Sequence, residues 1–326
     1  MIVRVYVERG PLPEAVHEVD AVVVDGAGKL RLCAGDPEGL VCLRSAAKPI
    51  QALAVVESGA ADAFGFGAAE RALMCASHNG ERVHVERAAA MLAAIGCSEH
   101  DLECGIHPPA DAAAAAELAA RAEAPRAIHN NCSGKHAGML ALARHLGVET
   151  RGYTAADHLV QRTIRRQLET LTGARDIPIA VDGCSAVTYF LPLRAVALLF
   201  RDLVVGHDSA LASLRDAMMA HPYLVAGRER FDTAMMQALP GRAVSKVGAE
   251  ALQCLGLRGA DGEVYGIAVK ARDGQTRGSE PALLAILERL GALDDGARGS
   301  LLGYASPVRT NHRGLVVGRV RAAIAD

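Results

Sequence analysis

Apolar and polar positions alternate at the start of the chain, and this two-residue period predicts strands at 2–8, 17–25 and 30–34. Asp25-Gly26-Ala27-Gly28 reads as the turn between the last two. From residue 50 the period lengthens. Ile50 to Ser58 carries apolar residues at helical spacing and stops at Gly59, with Pro49 tolerated only inside the first turn. A second helical pattern opens at Gly65, carries Leu73, Met74 and Cys75 inward and delivers Ser77-His78-Asn79-Gly80-Glu81, with Gly80 as its terminator. Further helical patterns cover 83–95, 110–123, the stretch from Asn131 to Gly147, and 157–171. Strand-like runs return at 177–181 and 187–190. Helices are expected at 193–202, 207–219 and 231–238, then an antiparallel meander at 242–247, 251–257 and 264–270 and a helix at 279–290. Strands at both ends with helices between predict an α+β fold. Its antiparallel sheet is built from both chain ends (mainly 1–45 and 175–326) and flanked by helices, with an inserted helical subdomain at about 50–175. The sequence offers no repeat, low-complexity linker or secure boundary, so 1–326 reads as a single domain.

Composition narrows the function classes. The 326 residues are 51% hydrophobic but only 3% aromatic, without tryptophan, so the core must be built from Ala, Leu and Val. A formal charge of -2 predicts no attraction to nucleic acid or to an anionic membrane. The N-terminal stretch lacks the order of a signal peptide, and no run of apolar residues is long enough to span a bilayer. Eight cysteines in a chain of this size read as reduced thiols of a cytoplasmic protein.

Candidate chemistry gathers in a few short stretches. Ser45 and Lys48, three residues apart at a helix start, have the minimum equipment of a Ser-Lys nucleophile, although a helix-capping serine with a solvated lysine gives the same spacing. Composition favours the chemical reading: of 35 Lys plus Arg, only residues 29, 48, 135, 246 and 270 are lysine, the residue whose amine can be deprotonated. Ser77 is either part of a helix-end cap or a second hydroxyl facing the first. Lys246 lies in a strand-like run with Gly248 two residues on, where a ligand could lie against the strand edge. Cys132, Lys135, His136 and Cys184, with Asp182 nearby in sequence, could hold zinc, and spacing alone selects Cys132, His136 and Cys184. A thiol nucleophile with His136 as base, or simply two buried thiols, are the rival readings. There is no GxGxxG after the first strand, no phosphate loop and no GxSxG elbow.

Five ordered motifs together carry a resemblance: Arg44-Ser45-Ala46-Ala47-Lys48-Pro49-Ile50-Gln51, Ala76-Ser77-His78-Asn79-Gly80-Glu81, His129-Asn130-Asn131-Cys132-Ser133-Gly134-Lys135-His136, Asp182-Gly183-Cys184-Ser185 and Ser245-Lys246-Val247-Gly248-Ala249-Glu250. The chain resembles the L-asparaginase II family of the rhizobial type, from about residue 10 to Arg309-Thr310-Asn311-His312-Arg313-Gly314. The resemblance implies a fold similar to serine β-lactamases and glutaminases, and hydrolysis of the L-asparagine side-chain amide to L-aspartate and ammonia. It makes Ser45 the nucleophile, Lys48 its base, and Ser77 with Lys246 a second Ser-Lys pair. Val247 stands where related folds carry a threonine. Cys132, Lys135 and Cys184 become the ligands of one zinc ion, with Lys135 in place of the His136 that spacing selects. Arg44, His78, Asn79, Asn130, Asp182 and His136 become substrate-binding neighbours, and a homodimer is implied. A glutaminase or broader small-amide hydrolase is the near alternative. A β-lactamase-like enzyme lacks its Ser-Asp-Asn motif here, and a non-enzymatic zinc-binding or regulatory protein would leave two Ser-Lys candidates unexplained.

Overall fold

A computed structural model describes residues 1–260 and 262–325. Its strands, in chain order, are β1 (Ile2–Arg9), β2 (Leu12–Asp25), β3 (Leu30–Ala34), β4 (Leu40–Cys42), β5 (Ile179–Val181), β6 (Val187–Pro192), β7 (Ala243–Gly248), β8 (Leu252–Arg258), β9 (Val264–Ala271), β10 (Val308–Thr310) and β11 (Val316–Ala325). The chain divides into two compact units, one built from 1–46, 191–205 and 234 onward, the other from 47–190 and 206–233.

The first unit carries an antiparallel eight-stranded sheet of order β10-β11-β1-β2-β9-β8-β7, with β3 added on β2. Both chain ends complete it, as the pattern predicts: β1 pairs with β11 from Ile2↔Ala325 to Val7↔Val320. The pattern left the last strands unassigned, because Val316-Val317-Gly318-Arg319-Val320-Arg321 mixes glycine and arginine into the alternation. The sheet's two faces are buried differently. Gly256 and Gly266, directly opposite each other on β8 and β9, leave a bare patch for the helix Leu193–Val205; a Cβ there would stand 2.3 Å from Phe200 O and 2.0 Å from Ala197 O. Ala271 lies an odd number of residues from Gly266 and so points the other way. It meets the helix Thr276–Arg289, where a Cβ on Gly278 would stand 3.1 Å from Ala271 Cβ. Helices on both faces explain why Val19, Ala21, Val22, Val23 and Val24 of β2 are all buried rather than alternately exposed.

The second unit is helical, with the hairpin β5–β6. Its main helices are Lys48–Glu57, Ala68–Met74, Arg82–Ala94, Ala112–Ala120, Ser133–His145, Leu159–Thr172 and Ser209–Ala220. Gly134 and Gly138 make the smooth surface their spacing suggests, and the helix Ala68–Met74 uses it: Cβ atoms there would stand 2.5 Å from Leu73 O and 2.7 Å from Met74 Sδ. One boundary differs from expectation. The helix Ala68–Met74 ends before Ser77, and Gly80 does not cap it. Gly80 has φ +74 and passes beneath the His129 carbonyl, where a Cβ would stand 2.8 Å from that oxygen. The glycine serves a close approach rather than a helix end.

Candidate active site

Lys48 opens its helix, with Pro49 in the first turn where a missing N–H costs nothing. The side chain is fully buried. Its Nζ donates to Ala76 O at 2.6 Å, Ser77 Oγ at 2.9 Å and Asn131 O at 3.3 Å. Two of these acceptors are carbonyls with no proton to exchange, so among the three only the Ser77 hydroxyl can trade a proton with the amine. Burial holds the amine below its ordinary value, the Cys132 thiol acting against that shift and the Lys135 ammonium with it.

Ser77 is held from its backbone. The segment after the Ala68–Met74 helix runs extended: Ser77 N donates to Val225 O at 2.9 Å, His78 N to Asn131 O at 3.2 Å and Asn79 N to Ala226 O at 2.9 Å. Asn131 O therefore receives both His78 N and Lys48 Nζ, which ties the third motif to the first two. His78 is fully buried; its Nδ1 accepts from Gly80 N at 3.1 Å, which leaves Nε2–H to donate to Ser133 Oγ at 3.0 Å. Burial first, then the neighbouring His84 and Lys48 charges, hold this ring far below its ordinary pKa and hence neutral. Asn79 is also committed to the protein, donating to Arg228 O at 2.9 Å and Glu81 Oε1 at 3.2 Å and accepting from Arg230 Nη1 at 2.9 Å. Asn130 donates to Cys104 O and Gly105 O and accepts from Cys132 N.

The thiol cluster lies in the same unit. Cys132 immediately precedes the helix Ser133–His145 without a side-chain capping bond, and Lys135 Nζ donates to Cys184 Sγ at 2.8 Å. Cys132 is the acidic thiol of the pair: a hydrogen bond from Cys184 holds it well down, against burial and with help from Lys48 and Lys135. The same hydrogen bond and burial push Cys184 up. Burial acts to lower the Lys135 amine, but the two sulfurs outweigh it and hold it up. His136, one position on, turns elsewhere. Its Nδ1 meets Tyr153 OH at 2.6 Å, and its buried Nε2 has no partner among the described residues. The side chain that reaches Cys184 is thus Lys135, not the His136 that spacing selected. Asp182 sits in the turn before Cys184, its Oδ1 accepting from Gly183 N at 2.7 Å and its Oδ2 3.9 Å from Cys184 Sγ. No group of three or more His, Cys, Asp or Glu side chains gathers among the described residues.

Ser45 and Lys246 belong to the first unit. Ser45 sits in the 3-10 turn Arg44–Ala47, which runs without a break into the helix that begins at Lys48. Arg44 has φ 45, a left-handed conformation uncommon for a side chain of its size, immediately before the serine. Lys246 is fully buried in β7 and its Nζ donates to Val247 O at 3.0 Å. Sequence reasoning missed Glu81, Tyr223 and Arg230. Only their long-range partners distinguish them: Tyr223 hydrogen-bonds Glu81, and Arg230 bonds Asn79 and Ser77 O.

Comparison with known proteins follows the same lines. The family model L-asparaginase II matches residues 5–322. No curated protein matches the chain. Among solved structures, one of Mglu is similar at 14% identity and a TM-score of 0.47, over 84% of this chain and 67% of that one. A structure of Mglu in its native form in 4.3 M NaCl is similar at 13% identity and a TM-score of 0.36, over 84% of this chain and 61% of that one. With the motifs in order and the match spanning almost the full length, the chain belongs to the L-asparaginase II family and is an amidohydrolase acting on L-asparagine.

Proposed function

We propose that the protein converts L-asparagine to L-aspartate and ammonia in two steps through an acyl-enzyme, with Lys48 as the base. The observation that carries this reading is the buried hydrogen bond of Lys48 Nζ to Ser77 Oγ at 2.9 Å. The family resemblance assigns acylation to Ser45, and the unbroken turn from Arg44 into the helix at Lys48 links that serine to its base through the chain itself. Neutral Lys48 takes the Ser45 proton, the alkoxide attacks the side-chain carboxamide, and ammonia leaves with a proton returned by the amine. Water then cleaves the aspartyl ester. Ser77 relays protons to and from Lys48, the backbone N–H of Ser45 stabilises the oxyanion, and Lys246 keeps the role of second lysine that the family resemblance gives it. His78, Asn79 and Asn130, whose polar atoms the protein already engages, fix the Ser77 and Cys132 segments. Arg44, Asp182 and His136 remain candidates for contact with substrate.

Cys132, Lys135 and Cys184 would hold one zinc ion, as the family resemblance implies: Lys135 already meets Cys184 and Cys132 is the acidic thiol, and binding would require Lys135 and Cys184 to release their protons. Bound there, zinc would neutralise the thiolates and orient the substrate. The protein works as a homodimer in the cytoplasm, where its eight cysteines stay as the free thiols they are here. Among the described residues no helix is long and apolar enough to cross a membrane. L-Glutamine, one methylene longer, is the slower substrate by about 10- to 200-fold. Ammonia release from L-Asn and L-Gln, measured in parallel before and after chelation with metal content from the same sample, tests the reading. Release from neither amide would refute it.

A further inference from the structure

We infer that Arg230 binds the α-carboxylate of the substrate and of the product aspartate, a role that rests on the amide-hydrolase reading above. Around Ser77 the neighbouring lysines are already engaged. Lys48 Nζ has three acceptors, and Lys135 is engaged with Cys184. Arg230 differs. A single nitrogen, Nη1, donates to Asn79 Oδ1 at 2.9 Å and to Ser77 O at 3.3 Å, the carbonyl of the serine hydrogen-bonded to the base. The rest of its guanidinium has neither a hydrogen-bond acceptor nor a carboxylate within ion-pair distance among the described residues. A half-buried arginine with an unused face beside the relay serine Ser77 is built for a planar anion, since its fork matches a carboxylate with two parallel hydrogen bonds.

The approach to Arg230 shows how firmly it is aimed. Gly227 has φ +119, and a Cβ there would stand 2.5 Å from Glu81 Oε1 and 2.7 Å from Asn79 Nδ2, so only glycine fits. Arg228 N donates to Glu81 Oε1 at 3.0 Å, while Arg228 O accepts from Asn79 Nδ2 at 2.9 Å. Glu229 then takes the left-handed conformation, φ 57. The left-handed Glu229, in a turn pinned by a buried carboxylate and a buried amide, is a cost the fold bears where it returns Arg230 onto the Ser77 backbone. The ligand this geometry calls for is a small amino acid whose carboxylate rests on Arg230 while its side-chain amide reaches the serine.

The test compares wild type with Arg230→Met and Arg230→Lys, each checked for native circular dichroism. Initial rates give KM and kcat for L-asparagine, and calorimetry gives the affinity for L-aspartate. Loss of a charge-assisted pair predicts a KM higher and an aspartate affinity lower by about 10- to 100-fold in Arg230→Met, with kcat changed far less and Arg230→Lys between the two. A fall in kcat at unchanged KM and unchanged aspartate affinity would make Arg230 a prop for Ser77 and overturn the assignment. So would wild-type constants in Arg230→Met. A wild type that binds aspartate but releases no ammonia would instead refute the hydrolase reading and leave the carboxylate site standing.

Discussion

At the scale of single residues, the site is defined by what a buried amine is given to touch. Lys48 would be a costly buried charge without its three acceptors, and burial lowers its proton affinity toward the neutral form a base requires. Ser45→Ala should release no ammonia above background, whereas Ser77→Ala, losing a relay but not the nucleophile, should retain a reduced rate about 10²- to 10⁴-fold below wild type. Mass spectrometry of quenched reactions then places the aspartyl adduct on Ser45; an adduct on Ser77 would exchange the two roles. Stability rests partly on another residue pair. Burial pushes the Glu70 carboxyl up, but the Arg87 guanidinium, 2.6 Å away, and the first backbone N–H groups of its helix together hold it below its ordinary value. Because the folded pKa is the lower one, this stabilisation is full above the unfolded value of about 4.3 and is lost as pH falls through the folded one. Urea midpoints of wild type and Glu70→Gln should therefore differ at pH 7 and converge below about pH 4. A gap that does not narrow would exclude this pair as its source.

At the scale of elements, glycine decides where two of them approach. Gly266 lies under the helix Leu193–Val205 with Ala197 O 2.0 Å from where a Cβ would be, while Gly299 in the helix Asp295–Ala305 has nothing within 4 Å. Gly266→Ala should cost about 1–3 kcal/mol by overpacking, and Gly299→Ala should be neutral or stabilise by up to ~1 kcal/mol, as read from denaturant midpoints. Much of this level was legible in the sequence, because periodicity and glycine spacing are local. The strands β1, β3 and β7 to β9 fall where alternation places them, β2 starts at Leu12, five residues before the expected 17, and Gly134 and Gly138 gave the smooth helix face. The helix end before Ser77 was misread because a left-handed glycine that caps a helix and one that slips under a carbonyl look alike in sequence. The site was legible as a set of motifs, but not as a geometry. Lys135 rather than His136 reaches Cys184, since adjacent positions on a helix point about 100° apart and spacing alone cannot say which faces the partner. Arg230 was not legible at all: Arg228-Glu229-Arg230 reads as solvated charge until the turn brings it back to Ser77.

At the scale of the whole molecule, closure of the sheet by β1 and β11 makes both chain ends part of one core, so removing the last ten residues should expose the β1 edge and abolish cooperative unfolding. The metal reading makes a separate demand. Cys184→Ser should lower the zinc content of purified protein without changing its circular dichroism, and equal metal content in the variant would move the ion elsewhere. The central claim is that Lys48 acts as a proton acceptor and not merely as a buried charge. Arginine keeps that charge and can still donate to the carbonyls, but it cannot be deprotonated. The direct measurement is the initial rate of ammonia release from L-asparagine by wild type and by folded Lys48→Arg. The rate should fall by about 10²- to 10⁴-fold or more; a variant that hydrolyses L-asparagine at close to the wild-type rate would contradict the account.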